Sequence, residues 1–144
     1  MTTFADMGLS PRILDRLSSK GFTDPTPIQS QAIPHILNGR DIMGLAQTGT
    51  GKTAAFGLPI LHHLWHVGTK PEDRSARALI LAPTRELASQ ITENLLIFSR
   101  DTHLKVALVV GGVSINTQIK RLQKGTDVLV ATPGRLLDLL NRRA

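Results

Sequence analysis

The stretch of sequence that decides the fold is AQTGTGKT, residues 46–53. Gly49 and Gly51 allow a tight backbone path on which successive N–H groups point inward at an anion. The apolar run before this stretch, residues 41–46, predicts a strand, and residues 52–65 predict a helix. The start of such a helix presents the positive end of its dipole to the same anion. The order of strand, glycine-rich turn and helix therefore indicates a phosphate-binding loop.

The end of this loop supplies the candidates for chemistry. Gly51, Lys52 and Thr53 fit the end of a Walker A loop, and Ala46 stands where the generic pattern has Gly. Lys52 would reach the β- and γ-phosphates of a nucleotide, and the Thr53 hydroxyl would bind Mg²⁺. We assign both residues as catalytic candidates and Thr53 as the metal ligand. The plainer alternative is a glycine-containing turn followed by a Lys-Thr pair that arose by chance.

The rest of the chain alternates apolar strands with amphipathic helices. After the loop, further strands are predicted over residues 78–82, 105–110 and 127–131, and helices over residues 114–124 and 136–140. Another helix carries Leu87, Ile91, Leu95 and Phe98 on one face. This alternation predicts an α/β fold with a parallel sheet that is covered on both faces. Residues 68–77 are polar and predict an exposed loop.

Two helices are predicted ahead of the phosphate loop. The first covers residues 10–20, with Ser10 as its cap and Gly21 at its end. The second follows Thr26 and ends at Asn38-Gly39. Pro34 within it cannot donate a backbone hydrogen bond, which predicts a kink or an early break.

The composition is that of one folded domain. Of the 144 residues, 41% are hydrophobic and 19% are charged, so a packed core is feasible. Lys and Arg outnumber Asp and Glu by 17 to 11, and the net charge of +6 weakly favours a polyanion such as nucleic acid. The absence of Cys excludes a disulfide framework and fits a reducing cytoplasm. Because we find neither a signal-peptide layout nor an apolar run long enough for a bilayer, we expect a cytoplasmic protein without a membrane partner.

A base-recognition segment is predicted upstream of the loop, in residues 21–29. The amide of Gln29 can donate and accept at once, which matches the amino group and ring nitrogen of adenine. The ring of Phe4 could stack on the base. The alternative from the residues alone is that Gln29 is a surface helix residue and Phe4 a core anchor.

Five segments together resemble the motifs of DEAD-box RNA helicases. Residues 21–29, with Phe4 seventeen positions before Gly21, resemble the Q motif, and residues 46–53 resemble motif I. The other three are PTRELA, which looks like motif Ia, Gly111-Gly112, which looks like the GG motif, and residues 132–135, which look like motif Ib. Each short motif is weak alone, but five in family order are highly specific. The Q motif also favours DEAD-box enzymes over DEAH-type and RecQ-type relatives.

The resemblance implies a fold, a ligand and an activity. The fold is a RecA-like P-loop NTPase domain truncated at its C-terminus, with residues 1–144 a partial helicase ATP-binding domain and residues 1–39 its Q-motif region. The parent protein would be an ATP-dependent RNA helicase that unwinds duplexes or remodels ribonucleoproteins. ATP or ADP would bind with Mg²⁺. The implied nucleotide-binding residues are Phe4, Gly21, Phe22, Thr23, Pro27, Gln29, Gln47, Thr48, Gly49, Thr50, Gly51, Lys52 and Thr53.

The resemblance also implies an RNA surface along the strand ends. Cations, hydroxyls and N–H groups at helix starts suit a sugar-phosphate backbone and read no base sequence. The implied RNA-binding residues are Pro83, Thr84, Arg85, Gly111, Gly112, Thr132, Pro133, Gly134 and Arg135. On the residues alone, the Thr and Pro residues would be helix caps, the Gly pair a turn, and the arginines solvated charges. Glu86 would support the loops or be an early-helix acid.

Two family motifs and one domain are not found in the sequence. In the family, motif II (Asp-Glu-Ala-Asp) and motif III (Ser-Ala-Thr) follow motif Ib, and a second RecA-like domain is the expected partner. Phosphoryl transfer needs an acidic partner for Mg²⁺ and an oriented water. We therefore expect this chain to bind adenine nucleotide and RNA backbone without turning over alone. The open sheet edge would favour aggregation or pairing with another copy.

Two other classes of function stay open. One is a P-loop NTPase or kinase of another class, which equal competition by GTP would favour. The other is a non-catalytic RNA-binding module, which RNA binding indifferent to nucleotide would favour. His62 and His66 have the i, i+4 spacing of a metal pair, but no third ligand accompanies them, so a polar helix face is the better interpretation.

Overall fold

The structure is a computed structural model that describes residues 3–46, 51–100 and 102–144. The chain divides into two compact units, Met1–Val67 and Gly68–Ala144. In the described part of the chain, no helix combines the length and apolarity needed to cross a membrane.

The first unit is helical. It holds a short 3-10 helix, Ala5–Met7, followed by α1 (Pro11–Ser19), α2 (Pro27–Leu37) and α3 (Lys52–Val67). Ser10 caps α1, because its side chain accepts a hydrogen bond from the Ile13 N–H. The predicted helices are confirmed, and α2 continues through Pro34 to Leu37 without the early break that the proline suggested.

The core of the first unit lies between its helices. α2 packs against α3. Ile33 and Leu58 are fully buried, and Leu61 is nearly so, because the apolar faces of the two helices meet there. Ile13 and Leu17 of α1 are also buried. This packing fixes the starts of α2 and α3, where the candidate nucleotide residues lie.

The strand predicted over residues 41–46 is wrong in this structure. These residues have no regular secondary structure, and the side chains of Met43 and Leu45 are 86% and 88% exposed. A strand is stable only when its backbone pairs with neighbours, and no described strand pairs with this run. The apolar composition of the run is therefore not sufficient to make it a strand.

The second unit is a three-layer α/β structure. Its strands are β1 (Ala76–Leu81), β2 (Val106–Val109) and β3 (Thr126–Ala131), and its helices are α4 (Arg85–Ser99), α5 (Ile115–Leu122) and α6 (Pro133–Asn141). The strands form a parallel sheet in the order β1-β3-β2. The predicted strands and helices of this half are confirmed, with ends shifted by up to three residues. The strand β1 begins inside the segment that was predicted as a loop.

The sheet order places helices on both faces. The chain crosses from β1 through α4 to the far strand β2, and returns through α5 to the central strand β3. Both connections are expected to be right-handed, and they cross the sheet in opposite directions, from β1 to β2 and from β2 back to β3. The helices α4 and α5 therefore lie on opposite faces of the sheet. On the α5 side, one cluster joins alternate strand residues with α5 and α6; its buried members are Ala107, Val109, Leu122, Leu129, Ala131 and Leu139.

The edge strand β1 is less covered than the centre of the sheet. Val128 and Val130 of β3 are fully buried, whereas Leu79 and Leu81 of β1 are 49% and 54% exposed. Of the four residues predicted on one face of α4, Ile91, Leu95 and Phe98 are buried, whereas Leu87, in the first turn of the helix, is 39% exposed.

Candidate functional site

The end of the predicted phosphate loop lies at the start of α3. Gln47, Thr48, Gly49 and Thr50 lie outside the described residues. Gly51 has φ +82°, a left-handed conformation that favours glycine. Lys52 is exposed, and its Nζ donates a hydrogen bond of 2.8 Å to the Ala46 carbonyl. The ammonium therefore links the residue before the undescribed part of the loop, Ala46, to the first residue of α3, Lys52.

Gln29 connects the upstream segment to the phosphate loop. Its Oε1 accepts from the Thr26 N–H at 2.9 Å, and its Nε2 donates to the Gly51 carbonyl at 3.2 Å. Gln29 is only 4% exposed, so the surface-residue alternative is wrong. A primary amide has two N–H groups and two acceptor lone pairs, so one of each is left over after these two bonds.

The close approach of Gln29 explains why Gly51 has no side chain. A Cβ at position 51 would clash with the Gln29 amide and would meet the Thr26 hydroxyl at 3.3 Å. Within the described residues, that hydroxyl is a buried side-chain oxygen without a hydrogen-bond partner. The unpaired hydroxyl of Thr26, the remaining amide N–H of Gln29 and the backbone of Gly51 lie next to one another. This arrangement fits a polar ligand bound against the loop.

The other predicted nucleotide residues lie between the end of α1 and the start of α2, apart from Phe4, which precedes the short 3-10 helix. Gly21 ends α1 with φ +80°, and the Phe22 N–H donates to the Leu17 carbonyl at 2.9 Å. Thr23 is exposed, and Pro27 is the first residue of α2. Phe4 is 5% exposed, as the core-anchor alternative requires, and stacking of its ring on a base stays a prediction.

Three predicted RNA segments follow the carboxyl ends of the strands in the second unit. Thr84 caps α4, because its Oγ1 accepts from the Leu87 N–H at 3.2 Å. Arg85 is exposed and its Nη1 reaches the Gly111 carbonyl at 3.5 Å. The structure therefore brings the segment after β1 into contact with the segment after β2.

Gly112 is the point of closest approach between these two segments. Its φ is +78°, and a Cβ built there would clash with the Arg85 guanidinium. Gly111 has ordinary φ, and a Cβ there would meet open space. Only the second glycine of the pair is therefore required by the geometry.

The segment after β3 also contacts the segment after β2. Thr132 and Pro133 begin α6, and Gly134 is exposed beside them. Arg135 donates from Nη1 to the Val113 carbonyl and to the Gln118 Oε1, each at 2.9 Å. The alternative of a solvated charge is wrong for Arg135, because its guanidinium is held by two acceptors and the residue is half-buried.

Gln118 is a residue of this site that the sequence did not reveal. It is 6% exposed, and its Nε2 donates to the Val110 carbonyl at 3.0 Å while its Oε1 accepts from Arg135. It therefore links the end of β2 to the start of α6. The only sequence signal for Gln118 was that a polar residue falls on the apolar face of α5. That signal does not show which residue Gln118 would bind.

The histidines of α3 contact one another and the cap of α1. The rings of His62 and His66 lie 4.3 Å apart between centroids, and the His62 Nδ1 accepts from the Ser10 N–H at 3.0 Å. Among the residues that the structure describes, no three His, Asp or Glu side chains gather as metal ligands would.

A parallel sheet with helices on both faces, whose polar segments follow the strand ends, belongs to the class of α/β domains that bind ligands at the carboxyl ends of their strands. Comparison with known proteins gives the family. The chain belongs to the DEAD/DEAH box helicase family, whose model matches residues 26–144.

The most similar proteins carry consistent names. The chain is 49% identical over 142 residues to the ATP-dependent RNA helicase DeaD of Escherichia coli K12, covering 98% of this chain and 22% of the relative. It is 48% identical over 143 residues to the ATP-dependent RNA helicase CshA of Listeria monocytogenes, covering 99% and 26%. The chain thus spans about a quarter or less of the length of these relatives.

Solved structures agree with the fold. The RNA helicase Prp28 of Chaetomium thermophilum bound to ADP superposes with a TM-score of 0.90 at 44% identity, covering 99% of this chain and 35% of that one. A DEAD box protein of Methanococcus jannaschii gives 0.85 at 39% identity, covering 99% and 38%. The family membership removes the alternative of a small-molecule kinase.

Proposed function

We propose that this chain is the nucleotide-binding part of an ATP-dependent RNA helicase that couples ATP binding and hydrolysis to RNA unwinding or remodelling. The observation that carries the proposal is the hydrogen bond from the Gln29 amide to the Gly51 carbonyl. It joins the residue that would test the base to the loop that would hold the phosphates. The names of the relatives and the ADP bound to Prp28 support the same ligand.

The phosphate end would be bound by residues 47–53. Gly51 gives the backbone a left-handed turn, and α3 begins at Lys52, where the first N–H groups of an α-helix have no partner within the helix and suit an anion. The Lys52 ammonium, which bonds the Ala46 carbonyl at 2.8 Å, would exchange that carbonyl for phosphate oxygens. The Thr53 hydroxyl would give one oxygen to Mg²⁺, and phosphates and waters would give the rest. Bound MgATP would supply the phosphoryl group that is transferred.

The base end would be read by Gln29. After its bonds to Thr26 and Gly51, the amide retains one N–H and one lone pair. Adenine presents an amino donor beside a ring-nitrogen acceptor, which these two groups match. Guanine presents a carbonyl in place of the amino group, so the lone pair of Gln29 would face another lone pair. The segment of Gly21, Phe22, Thr23 and Pro27, together with Phe4, would complete the base pocket.

The RNA backbone would bind along the carboxyl ends of the strands in the second unit. Arg85 and Arg135 place guanidinium groups beside the segment after β2. The starts of α4 and α6 add backbone N–H groups and the hydroxyls of Thr84 and Thr132. Gly111 and Gly134 leave room for a sugar-phosphate strand, and Gly112 admits the Arg85 guanidinium to the same surface. Pro83 and Pro133 fix the entries to the two helices.

This polypeptide by itself would turn over ATP negligibly. The 144 residues contain no Asp-Glu-Ala-Asp and no Ser-Ala-Thr sequence. Without an acidic group for Mg²⁺ and a group that orients water, positioning of the phosphates alone gives little acceleration. A second RecA-like domain would be needed for nucleotide-dependent affinity for RNA.

Calorimetry with ADP, ATP and GTP tests the proposal. We expect ADP and ATP to bind at least about fivefold tighter than GTP, since an unmatched polar group costs about 1–3 kcal/mol. Lys52→Ala should weaken both adenine nucleotides, and Gln29→Ala should abolish the preference for adenine. Lys20→Ala and Gln31→Ala change exposed residues of the same types and should leave binding unchanged.

Two results would count against the proposal in different ways. Equal binding of GTP and ATP would reject adenine recognition by Gln29. RNA binding with no nucleotide binding at any concentration would favour the non-catalytic RNA-binding module instead. Because Gln29 is buried, Gln29→Glu provides a nearly isosteric second variant that removes the donor while retaining the side-chain shape.

A further inference from the structure

A concave surface lies at the amino-terminal ends of the strands, opposite the edge that carries the motifs. It encloses about 710 Å³ and lies wholly within the second unit. Three lysines line it, each from a different segment: Lys70 from the loop before β1, Lys105 just before β2, and Lys124 just before β3. We call this surface the lysine cleft.

The charge of the lysine cleft is not balanced by its acids. The Asp127 carboxylate accepts from the Arg77 Nη1 at 2.9 Å and from the Lys105 backbone N–H at 2.8 Å, so its charge is already compensated. Its side chain is only 3% exposed. Asp73 is the other acid in the wall. Three lysines therefore line the cleft with one acid, Asp73, besides the Asp127 that is paired with Arg77.

The three lysines are held together by the backbone. Gly125 follows Lys124 with φ +77°, and a Cβ there would clash with the backbone of Glu72. The loop that carries Lys70 is therefore packed directly on the turn that carries Lys124. The Lys105 carbonyl accepts from the Thr126 Oγ1 at 3.0 Å, which fixes the third lysine against the same turn.

We propose that the lysine cleft binds a phosphate-bearing anion. Its volume lies in the range of about 300–1,000 Å³ that is usual for small-ligand sites. Lysine is a common phosphate ligand, because a compact ammonium on a flexible stem adapts to different phosphate positions. The anion is either a free polyphosphate or a phosphate of the RNA backbone, and both present the same chemistry to the three lysines.

Within the second unit, the lysine cleft is separate from the proposed RNA surface. The six residues of β3 span about 20 Å at roughly 3.3 Å per residue, so the two edges of the sheet are that far apart. Failure of nucleotide binding at the phosphate loop would leave this proposal untouched, and the reverse also holds.

Amide chemical shifts of the ¹⁵N-labelled chain test the proposal residue by residue. Pyrophosphate, titrated at constant ionic strength, is expected to give saturable shifts at Lys70, Lys105 and Lys124. The double variant Lys105→Gln/Lys124→Gln should weaken this binding about tenfold, because each of the two exposed ion contacts contributes about threefold. Lys105→Arg should retain it. Lys120→Gln, which changes an exposed lysine of α5 outside the cleft, is the matched control.

A single-stranded RNA of ten nucleotides is the second arm and separates the two sources of phosphate. Saturable shifts in the lysine cleft with RNA, which the double variant removes, identify a backbone contact; the salt dependence of affinity should then fall by about one unit of slope per lysine. Saturable shifts with pyrophosphate alone identify a free polyphosphate. Shifts that fail to saturate with both probes, or that the double variant leaves unchanged, overturn the proposal.

Discussion

Arg135 donates a hydrogen bond of 2.9 Å to the side-chain oxygen of Gln118, a residue that is itself almost fully buried. The nitrogen of the same amide donates to the Val110 carbonyl at the end of β2. The Gln118 amide therefore connects Arg135, in the segment after β3, to the backbone of Val110, which directly precedes Gly111 and Gly112. Gln118 is a positioning residue in this arrangement, because it acts on the proposed RNA surface only through Arg135.

Replacing Gln118 by Leu is expected to weaken RNA binding without removing any group that touches RNA. The variant keeps the volume but loses both hydrogen bonds, and at about 1 kcal/mol for the lost positioning the affinity should fall roughly fivefold. The free energy of unfolding should fall by about 1–3 kcal/mol, since the Val110 carbonyl loses its side-chain donor. Fluorescence anisotropy with labelled RNA and urea unfolding measure the two effects.

A purely structural role for Gln118 would give a different pattern. Gln118→Glu retains an acceptor for Arg135 and should restore most of the RNA affinity while the stability stays reduced. Thr117→Ala, on the exposed side of α5, should change neither quantity. If Gln118→Leu bound RNA as tightly as the unchanged chain, the link to Arg135 would have no functional meaning.

The two glycines of the GG segment are expected to differ sharply. Gly112→Ala puts a Cβ on a left-handed residue and into the Arg85 guanidinium, at an expected cost of about 1–2 kcal/mol of stability. Gly111→Ala meets open space and should cost well under 1 kcal/mol. Thermal unfolding of the pair measures the difference, and RNA binding should fall only for Gly112→Ala because Arg85 must move. Equal effects of the two substitutions would contradict the geometry.

The sequence predicted most of the fold because most of its elements are locally specified. Ser10 and Thr84 occupy cap positions that the hydroxyl chemistry marks, and the apolar run of β3 is continuous because both of its faces are covered. The strand predicted over residues 41–46 is wrong because a strand needs paired neighbouring strands, and the local sequence pattern carries no information about such neighbours.

The candidate site was predicted unevenly for the same reason. Motif residues such as Gln29 and Arg135 were named from their order along the chain, while the contacts Gln29–Gly51 and Arg135–Gln118 span 22 and 17 residues. Long-range polar pairs leave no periodic signal, so Gln118 was missed. The lysine cleft was missed likewise, since its three lysines meet only after β2 and β3 are aligned.

The buried ion pair between Arg77 and Asp127 is expected to contribute strongly to stability. The Asp127 carboxylate is 3% exposed and also binds the Lys105 N–H, so Asp127→Ala removes two contacts from a dry site. Loss of one partner of a buried pair typically costs about 3–5 kcal/mol. The matched control is Asp138→Ala, whose pair with Arg142 is 45% and 52% exposed and should be worth less than about 1 kcal/mol. Guanidinium unfolding of both variants checks this, and similar losses in the two would refute it.

The contact between His62 and Ser10 is expected to make the first unit less stable in mild acid. Burial of the ring, together with the nearby charges of His66 and His63, lowers the pKa of His62 below its usual 6.5. Its Nδ1 must also be unprotonated to accept from the Ser10 N–H. The unfolded chain therefore takes up a proton at a higher pH than the folded chain does. The stabilisation is fully present above about pH 6.5 and is lost as the pH falls through the folded pKa.

Substitution of the histidine separates this effect from general acid sensitivity. His62→Gln offers an acceptor oxygen that does not titrate, so the difference in unfolding free energy between pH 7.5 and pH 5.5 should shrink. His35→Gln, which changes an exposed histidine of α2, should leave that difference as it is. An NMR titration of the ring protons gives the pKa of His62 directly. A midpoint above 6.5 would reverse the sign of the linkage, because protonation would then favour the folded chain, and a midpoint at 6.5 would remove the linkage.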